Sequence, residues 1–312
     1  MPGSLPSVAF SSWEVSSWEV WAEEASGLGE KIWLLQPVPE SEPKKPWLFK
    51  PVPTEGGLTR GEDWAEKAVA HLAEAVGIPC ARVEMAEYNG RLGAISANLR
   101  PDSHALHHGQ EYMRAQGVPG YVPGYEVGRP GHSLENIRNV LDGALPPPNC
   151  ELPFEGTAFD VFAGYLLLDA WVANRDRHDE NWSVLVPLTS EGQIHLCGAY
   201  DQANSLGYNV PDMQRERLLA EGRVEAWCQK GTAHRFEYTP GQPIPTLVET
   251  AVRALQLASL AAWEYWPERL RQIRPEVWQQ VVNRVPRMSD PARSFALSVL
   301  EVNRRRVLDA CM

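Results

Sequence analysis

Ala173-Asn174-Arg175-Asp176-Arg177-His178-Asp179-Glu180-Asn181-Trp182 decides how this chain folds, together with the stretch that answers it, Ala199-Tyr200-Asp201-Gln202-Ala203-Asn204-Ser205-Leu206-Gly207. An apolar run of helix length, residues 157–173, precedes the first stretch. Two short apolar strands follow it, residues 182–186 and 194–198, joined by the turn-like Thr189-Ser190-Glu191-Gly192. The order is helix, polar loop, β-hairpin and a carboxylate just past the second strand. Such a hairpin holds Asp176 and Asn181 at its mouth, close to Asp201 at its far end. Two acids and an amide converging there suit the binding of a divalent cation on a phosphate and the deprotonation of an acceptor hydroxyl.

Working outward toward the N-terminus, Gly27-Leu28-Gly29-Glu30-Lys31-Ile32-Trp33-Leu34-Leu35 is a glycine-bearing turn running into an apolar strand, and Pro46-Trp47-Leu48-Phe49-Lys50-Pro51 is a second strand with a lysine near its end. A nucleotide-binding β lobe is built this way. Gly27 and Gly29 let the backbone approach phosphates, and Lys50 supplies positive charge. Taken alone, a Gly-x-Gly is an ordinary turn and a lysine closing a strand is solvated. Gly61-Glu62-Asp63-Trp64-Ala65-Glu66-Lys67 then opens a helix to about Ala75, with Trp64, Ala68, Leu72 and Ala75 at helical spacing and acids in its first turn. Glu66 turned inward pairs with Lys50 and fixes the ammonium over the phosphates; the alternative is a solvated face of Glu and Lys. Residues 81–86 and 91–99, around Tyr88-Asn89-Gly90, read as a hairpin. Its second strand leads into a hinge near residues 96–99, where Ser96 and Asn98 are candidates for reading the adenine edge.

Residues 100–153 are rich in Gly, Pro and His, with one helical piece at 133–141. His104, His107 and His108 have no second cluster at metal-ligand spacing and read as surface or loop histidines. Past Asp201, residues 246–262, 276–284 and 290–308 carry apolar positions at helical spacing, with prolines near their starts, and read as the helical floor of a C-terminal lobe. The tandem Ser11-Ser12-Trp13-Glu14-Val15 and Ser16-Ser17-Trp18-Glu19-Val20 is too short for a solenoid and reads as an extended, variable N-terminal segment. The expected organisation is residues 1–24 as that segment, 25–99 as a nucleotide-binding N-lobe and 100–312 as a C-lobe.

Composition bounds the function. The 312 residues and twelve tryptophans suffice for two lobes with a substantial interior. The net charge of −11 argues against a general nucleic-acid or anionic-membrane surface. The five cysteines are odd in number, scattered and without CxxC spacing, which favours a reducing compartment and offers no zinc site. With no secretory leader and no apolar run long enough to span a bilayer, the expectation is a soluble, cytoplasmic protein.

Each element has a plain explanation by itself, but their order is the order phosphoryl transfer needs. Asp then Asn five residues on, followed by a metal-binding Asp, is the spacing of a kinase catalytic loop. In that arrangement Lys50 binds the α/β-phosphates of ATP and Glu66 orients it. Asp176 accepts the acceptor's proton, and Asn181 and Asp201 hold Mg²⁺ through oxygen. His178 buttresses the loop. Arg175 and Arg177 serve either the loop or the transferring phosphoryl group. The expected fold is α+β, bilobal and protein-kinase-like, with a β-rich N-lobe and a mainly helical C-lobe. A small-molecule or phosphoinositide kinase and a pseudokinase-like binding module are the alternatives; loss of Lys50, Asp176, Asn181 or Asp201 would mark the last, and all four are present.

Asn174-x-Asp176-Arg177-His178-x2-Asn181-Trp182, followed by Tyr200-Asp201-x3-Ser205-Leu206-Gly207, resembles the HipA-like Ser/Thr kinases, distant relatives of the phosphatidylinositol kinases. Glu30-Lys31-x-Trp33, Leu48-Phe49-Lys50 and Gly61-Glu62-Asp63-Trp64-x-Glu66-Lys67 extend the resemblance over residues 27–207. It implies an ATP- and Mg²⁺-dependent kinase acting on Ser or Thr of a protein. Several members are toxins restrained by a DNA-binding antitoxin, and some act on translation factors. An antitoxin is thus a candidate partner, without direct nucleic-acid or membrane contact by this chain. Its length matches the compact members rather than full-length HipA toxins. Gln202-Ala203-Asn204 stands where a Phe-Gly would follow the metal-binding Asp, so a conventional Phe-Gly switch is not expected.

Overall fold

The computed structural model describes residues 8–24, 31–55, 58–124 and 126–312. Its N-terminal region contains strands β1 (Ser12–Glu14), β2 (Glu19–Glu24), β3 (Lys31–Leu35) and β4 (Pro46–Pro51), a small ribbon of β5 (Thr54–Glu55) and β6 (Leu58–Thr59), helix α1 (Glu62–Val76), and the hairpin β7 (Val83–Tyr88) and β8 (Arg91–Ala97). Six of these strands form one sheet in the order β1-β7-β8-β4-β3-β2. β1 and β2 are therefore opposite edges, although only Val15-Ser16-Ser17-Trp18 separates them in sequence. Laid flat, the edges of such a sheet would stand about 24 Å apart, whereas the chain from Glu14 to Glu19 reaches at most about 18 Å. The sheet must curl. Val15, Leu34, Trp47, Phe49, Ala86 and Ile95 fill its interior, and Trp13 and Trp18 lie 5.3 and 6.4 Å from Trp47. The two copies of the Ser-Ser-Trp-Glu-Val repeat thus feed the two edges of one closing sheet.

Period-two alternation along β4 sends Trp47 and Phe49 inward, which leaves Leu48 and Lys50 on the other face. β4 is held on both sides, with Phe49 opposite Ile32 and Lys50 opposite Ala94, so its lysine sits on a fully paired strand. Helix α1 lies across β7 and β8, burying Trp64, Ala65, Ala68, Val69, Leu72 and Ala73. It ends at Gly77, whose φ of +89° only glycine adopts without cost; the Gly77 and Ile78 N–H groups donate back to Ala73 O, each at 2.9 Å.

The remaining chain contains β9 (His104–His108), α2 (Gly109–Ala115), α3 (Leu134–Val140), α4 (Ala158–Val172), β10 (Ser183–Pro187), β11 (His195–Leu196), α5 (Asp212–Ala220), α6 (Val224–Gln229), α7 (Leu247–Leu257), α8 (Leu260–Gln272), α9 (Pro275–Arg284) and α10 (Asp290–Ala310). Every residue of α4 is buried, as an all-round apolar helix requires. A capping box between Thr157 and Asp160 starts it, and α7, α8 and α10 pack around it. Gly164 admits the indole of Trp266, which a Cβ there would meet at 2.7 Å. No helix among the described residues is long and apolar enough to cross a membrane.

Three features depart from the sequence reading. The histidine-rich stretch contains strand β9 and helix α2: His104, His107 and His108 pair along β10 rather than occupying a loop. The expected helix over 246–262 is two helices. The break falls at Ser259, whose N–H donates to the Asp160 carboxylate (2.7 Å) while its own hydroxyl caps α8. Helices α5 and α6, between Asp201 and residue 246, were not anticipated.

Candidate active site

The polar loop begins where α4 ends, at Ala173 in the left-handed conformation (φ +58°). Beyond the capping Asp160, one charged residue interrupts the apolar helix, Asp169, and it organises the loop from below. Arg177 clamps it with two parallel bonds, Nε to Oδ2 and Nη2 to Oδ1, both 2.8 Å. Asn174 Nδ2 donates to Asp169 Oδ1 (2.8 Å) and to Gln202 Oε1 (3.0 Å). Arg177 Nη1 donates to Asn181 O (2.8 Å), closing the loop on itself. With side-chain exposures of 2 and 3 %, Arg177 and Asp169 are a buried, doubly bonded pair, the kind whose disruption costs about 3–5 kcal/mol when one partner is removed. Arg177 therefore serves the loop. Arg175, by contrast, is exposed and reaches Thr232 Oγ1 at 3.4 Å.

Asp201 follows the hairpin in a left-handed turn (φ +56°), which aspartate tolerates better than most residues. The chain leading to it is clamped against the N-terminal region, with Ala199 N–H donating to Pro79 O and Ala81 N–H to Ala199 O, each at 2.8 Å. Lys50 Nζ lies 3.2 Å from Asp201 Oδ1 and 3.3 Å from Glu66 Oε1. Burial opposes the charge on Lys50, but Asp201 and Glu66 outweigh it and hold the ammonium above the ordinary lysine value. Burial also raises the Glu66 carboxyl, more than Lys50 lowers it. For the more exposed Asp201, Lys50 and Lys31 overcome burial and hold the carboxyl below the usual range.

Helix α1, which carries Glu66, is tied down along its length. Gly61 N–H donates to Tyr208 O (3.2 Å), Asp63 pairs with Arg287 (3.1 Å), and Arg269 from α8 donates to Val76 O (2.9 Å) and Ala75 O (3.3 Å). The Phe10 ring stacks on His71 at 4.4 Å beneath the Arg284 guanidinium. Glu66 is thereby fixed opposite Lys50.

On the other side of the loop, Asp176 is held through both carboxylate oxygens. Arg235 donates to Oδ1 through Nε (2.6 Å) and brings Nη2 to 2.5 Å from the same oxygen as an ion pair, and the Asn204 amide donates to Oδ2. Asn181 Nδ2 donates to Asp176 O (2.7 Å), so the carbonyl oxygen is the atom Asn181 can offer a cation. His178 Nδ1 accepts the Glu180 N–H (3.2 Å). Burial depresses His178, against the opposing carboxylates of Asp176 and Asp201, which both act on this ring. A neutral imidazole already accepting a bond within the loop is a buttress.

Lys50, Glu66 and Asp201 therefore meet directly, and Asp176 and Asn181 are bonded to one another. Ser96 lies within β8, buried, opposite both Val83 and Leu48; Asn98 follows the strand, donating its N–H to Pro46 O and accepting the Arg100 N–H at Oδ1. Neither touches the Lys50 cluster in any contact described. Gly27 and Gly29 lie outside the described residues. The sequence reading missed Asp169, Gln202, Asn204 and Arg235. An acid near the end of an apolar helix, eight residues before an arginine, is the signal that marks Asp169; nothing in the sequence marks Arg235.

The donor set fits magnesium. Asn181 and Asp201 offer an amide and a carboxylate oxygen, both hard ligands. Among the described residues no group of three His, Cys, Asp or Glu forms a self-sufficient metal cage. Mg²⁺ is commonly held by one or two protein oxygens together with substrate phosphates and water.

The sequence profile of the HipA-like C-terminal domain matches residues 24–285. The chain belongs to the HipA-like C-terminal domain family. No curated protein matches it in sequence. Among solved structures, this HipA-like chain is similar to the Helicobacter pylori proinflammatory kinase CtkA, with a TM-score of 0.70 at 14% identity over 96% of this chain and 97% of that one. It is also similar to HipA of Shewanella oneidensis MR-1, solved with HipB and operator DNA, with a TM-score of 0.52 at 13% identity over 96% of this chain and 67% of that one. At such identities the likeness is one of fold. The α+β, bilobal, protein-kinase-like architecture expected from the sequence is the architecture of this chain.

Proposed function

We propose that this HipA-like chain is a kinase that uses ATP and Mg²⁺ to phosphorylate Ser or Thr of a protein. The observation that carries the reading is the meeting of Lys50 with both Glu66 and Asp201 beside a loop that carries Asp176 and Asn181. In this reading Lys50 holds the ATP phosphates and Glu66 keeps the ammonium aimed at them. Asn181 and Asp201 hold Mg²⁺, which when bound neutralises phosphate charge. Asp176 takes the proton of the acceptor hydroxyl as its oxygen bonds to the γ-phosphorus. The bond from that phosphorus to the β,γ-bridging oxygen breaks, and its electron pair leaves with ADP. The 27–29 glycine turn and the Ser96–Asn98 region complete the nucleotide site in the same proposal. Membership of the HipA-like family, together with the Shewanella HipA solved with HipB, supports a toxin-type kinase with an antitoxin partner.

The test is incubation with γ-labelled ATP, with and without Mg²⁺, alone and with a host-cell lysate, followed by mass-spectrometric mapping. Mg²⁺-dependent label on Ser or Thr of protein is the expected result. Label confined to small molecules or lipids contradicts the protein acceptor, and no transfer at all contradicts the kinase.

A further inference from the structure

Arg235 reaches the site from a stretch that no motif marks. It lies between α6 and α7 on a segment pinned at its base by the Thr232–Thr246 bridge and by Ala233 N–H to Pro245 O (2.8 Å). The middle of the segment is bonded to the loop preceding α3. Glu237 N–H donates to His132 O, Tyr238 N–H donates to Gly128 O (both 2.9 Å), and Gly131 N–H donates to Glu237 Oε1 (2.7 Å).

His132 ties this segment to the Asp176 loop. Its Nδ1–H donates to Arg235 O (2.7 Å), its Nε2 accepts the Trp182 indole N–H (3.2 Å), and its ring stacks on Phe236 at 5.0 Å. Trp182 directly follows Asn181. The backbone of Arg235 is thus fixed to the loop through His132, while its side chain grips Asp176. The remaining gap, lined by Asn174, Arg177, Arg235 and Phe236 among others, is a cavity of about 10 Å³, room for one water at most.

The bonds on Asp176 leave a place for an acceptor. A carboxylate has about four acceptor sites. Among the described residues, Arg235 occupies Oδ1 with its Nε hydrogen bond and its Nη2 ion-pair contact, and the Asn204 amide takes one site on Oδ2. The second Oδ2 site belongs to a side chain that is 17 % exposed. A guanidinium can hold one oxygen through two N–H groups at a set angle, which an ammonium cannot.

We propose that Arg235 is the positioning residue of the acceptor side, holding Asp176 with its second oxygen toward the incoming hydroxyl, and itself held in register by His132 and Trp182. This rests on the assignment of Asp176 as proton acceptor. The test measures transfer of label from γ-labelled ATP to protein in a host-cell lysate by the full chain, as a function of ATP concentration. Arg235→Ala lowers the maximal rate about 100-fold, as misplacement of a reacting group does, and leaves KM for ATP within about twofold. Added guanidinium ion restores about tenfold of the lost rate, and Arg235→Lys remains well below wild type because it lacks the fork. A wild-type rate in Arg235→Ala, a loss that moves with KM for ATP, or a loss that guanidinium leaves unchanged overturns the proposal. Should Arg235→Ala melt below the assay temperature, Arg235→Lys takes its place, and a wild-type rate there overturns the proposal equally. An inactive wild type overturns the kinase reading and this proposal with it; an active wild type beside an unimpaired variant overturns this proposal alone.

Discussion

Asp169 and Asp176 stand on either side of the end of α4, and each is gripped by an arginine, yet the two pairs do opposite work. Asp169 and Arg177 are almost wholly buried, and their remaining bonds go to Asn174 and to the Asn181 carbonyl. Asp176 and Arg235 are 17 and 20 % exposed, partly open to solvent. The first pair is sealed from solvent and shapes the loop. The second is partly open to solvent, and in the proposed reading it is the pair turned toward the acceptor. Burial, more than residue type or the number of bonds, distinguishes the two pairs.

The sharpest way to break that contrast is to remove each arginine. Arg177→Ala leaves Asp169 charged and unpaired in the core and lowers the unfolding free energy by about 3–5 kcal/mol, read as a shift of the urea midpoint. A Arg177→Ala protein as stable as wild type would remove the distinction. Between these extremes lies the Lys50 cluster, buried on one side and open on the other. Lys50→Ala and Glu66→Ala, alone and combined, should show a coupling of about 0.5–3 kcal/mol in MgATP affinity by calorimetry; simple additivity would mean that Glu66 does not orient Lys50.

A smaller effect follows from His132, which joins Arg235 to Trp182. Burial depresses its pKa below the ordinary 6.5, against the nearby Asp179. Below that value the unfolded chain binds a proton that the folded chain refuses, so this contribution to stability is complete above 6.5 and is lost as pH falls through it. Urea midpoints from about pH 7.5 down to about 5 should fall, and His132→Gln should flatten the slope. The smallest effect on stability is expected at the partly exposed pair. Arg235→Ala should cost less than Arg177→Ala, and an equal loss would make both pairs struts.

Much of this was legible in the sequence because local pattern and motif agreed. The apolar run ending at Ala173, the polar loop and the two short strands fixed helix, loop and hairpin, and the order of Lys50, Glu66, Asp176, Asn181 and Asp201 suggested that they converge. What was not legible depends on partners far along the chain. The break at Ser259 exists because Asp160, on another helix, accepts its N–H. β9 is a strand because β10 pairs with it, not because its histidines alternate with apolar residues. The closing of the sheet by β1 and β2 depends on strand order, which propensity does not carry. Arg235 meets Asp176 across fifty-nine residues of sequence, and no spacing rule spans that.

In the kinase reading proposed for this chain, Asp176 acts on the acceptor and not on the fold or the nucleotide. Single-turnover transfer from γ-labelled ATP by Asp176→Ala, with MgATP affinity measured by calorimetry on the same protein, tests it most directly. The expected result is a fall in transfer on the order of 10²–10⁴-fold with nucleotide affinity nearly unchanged. Undiminished transfer, or a loss explained by failure to bind MgATP, would contradict it.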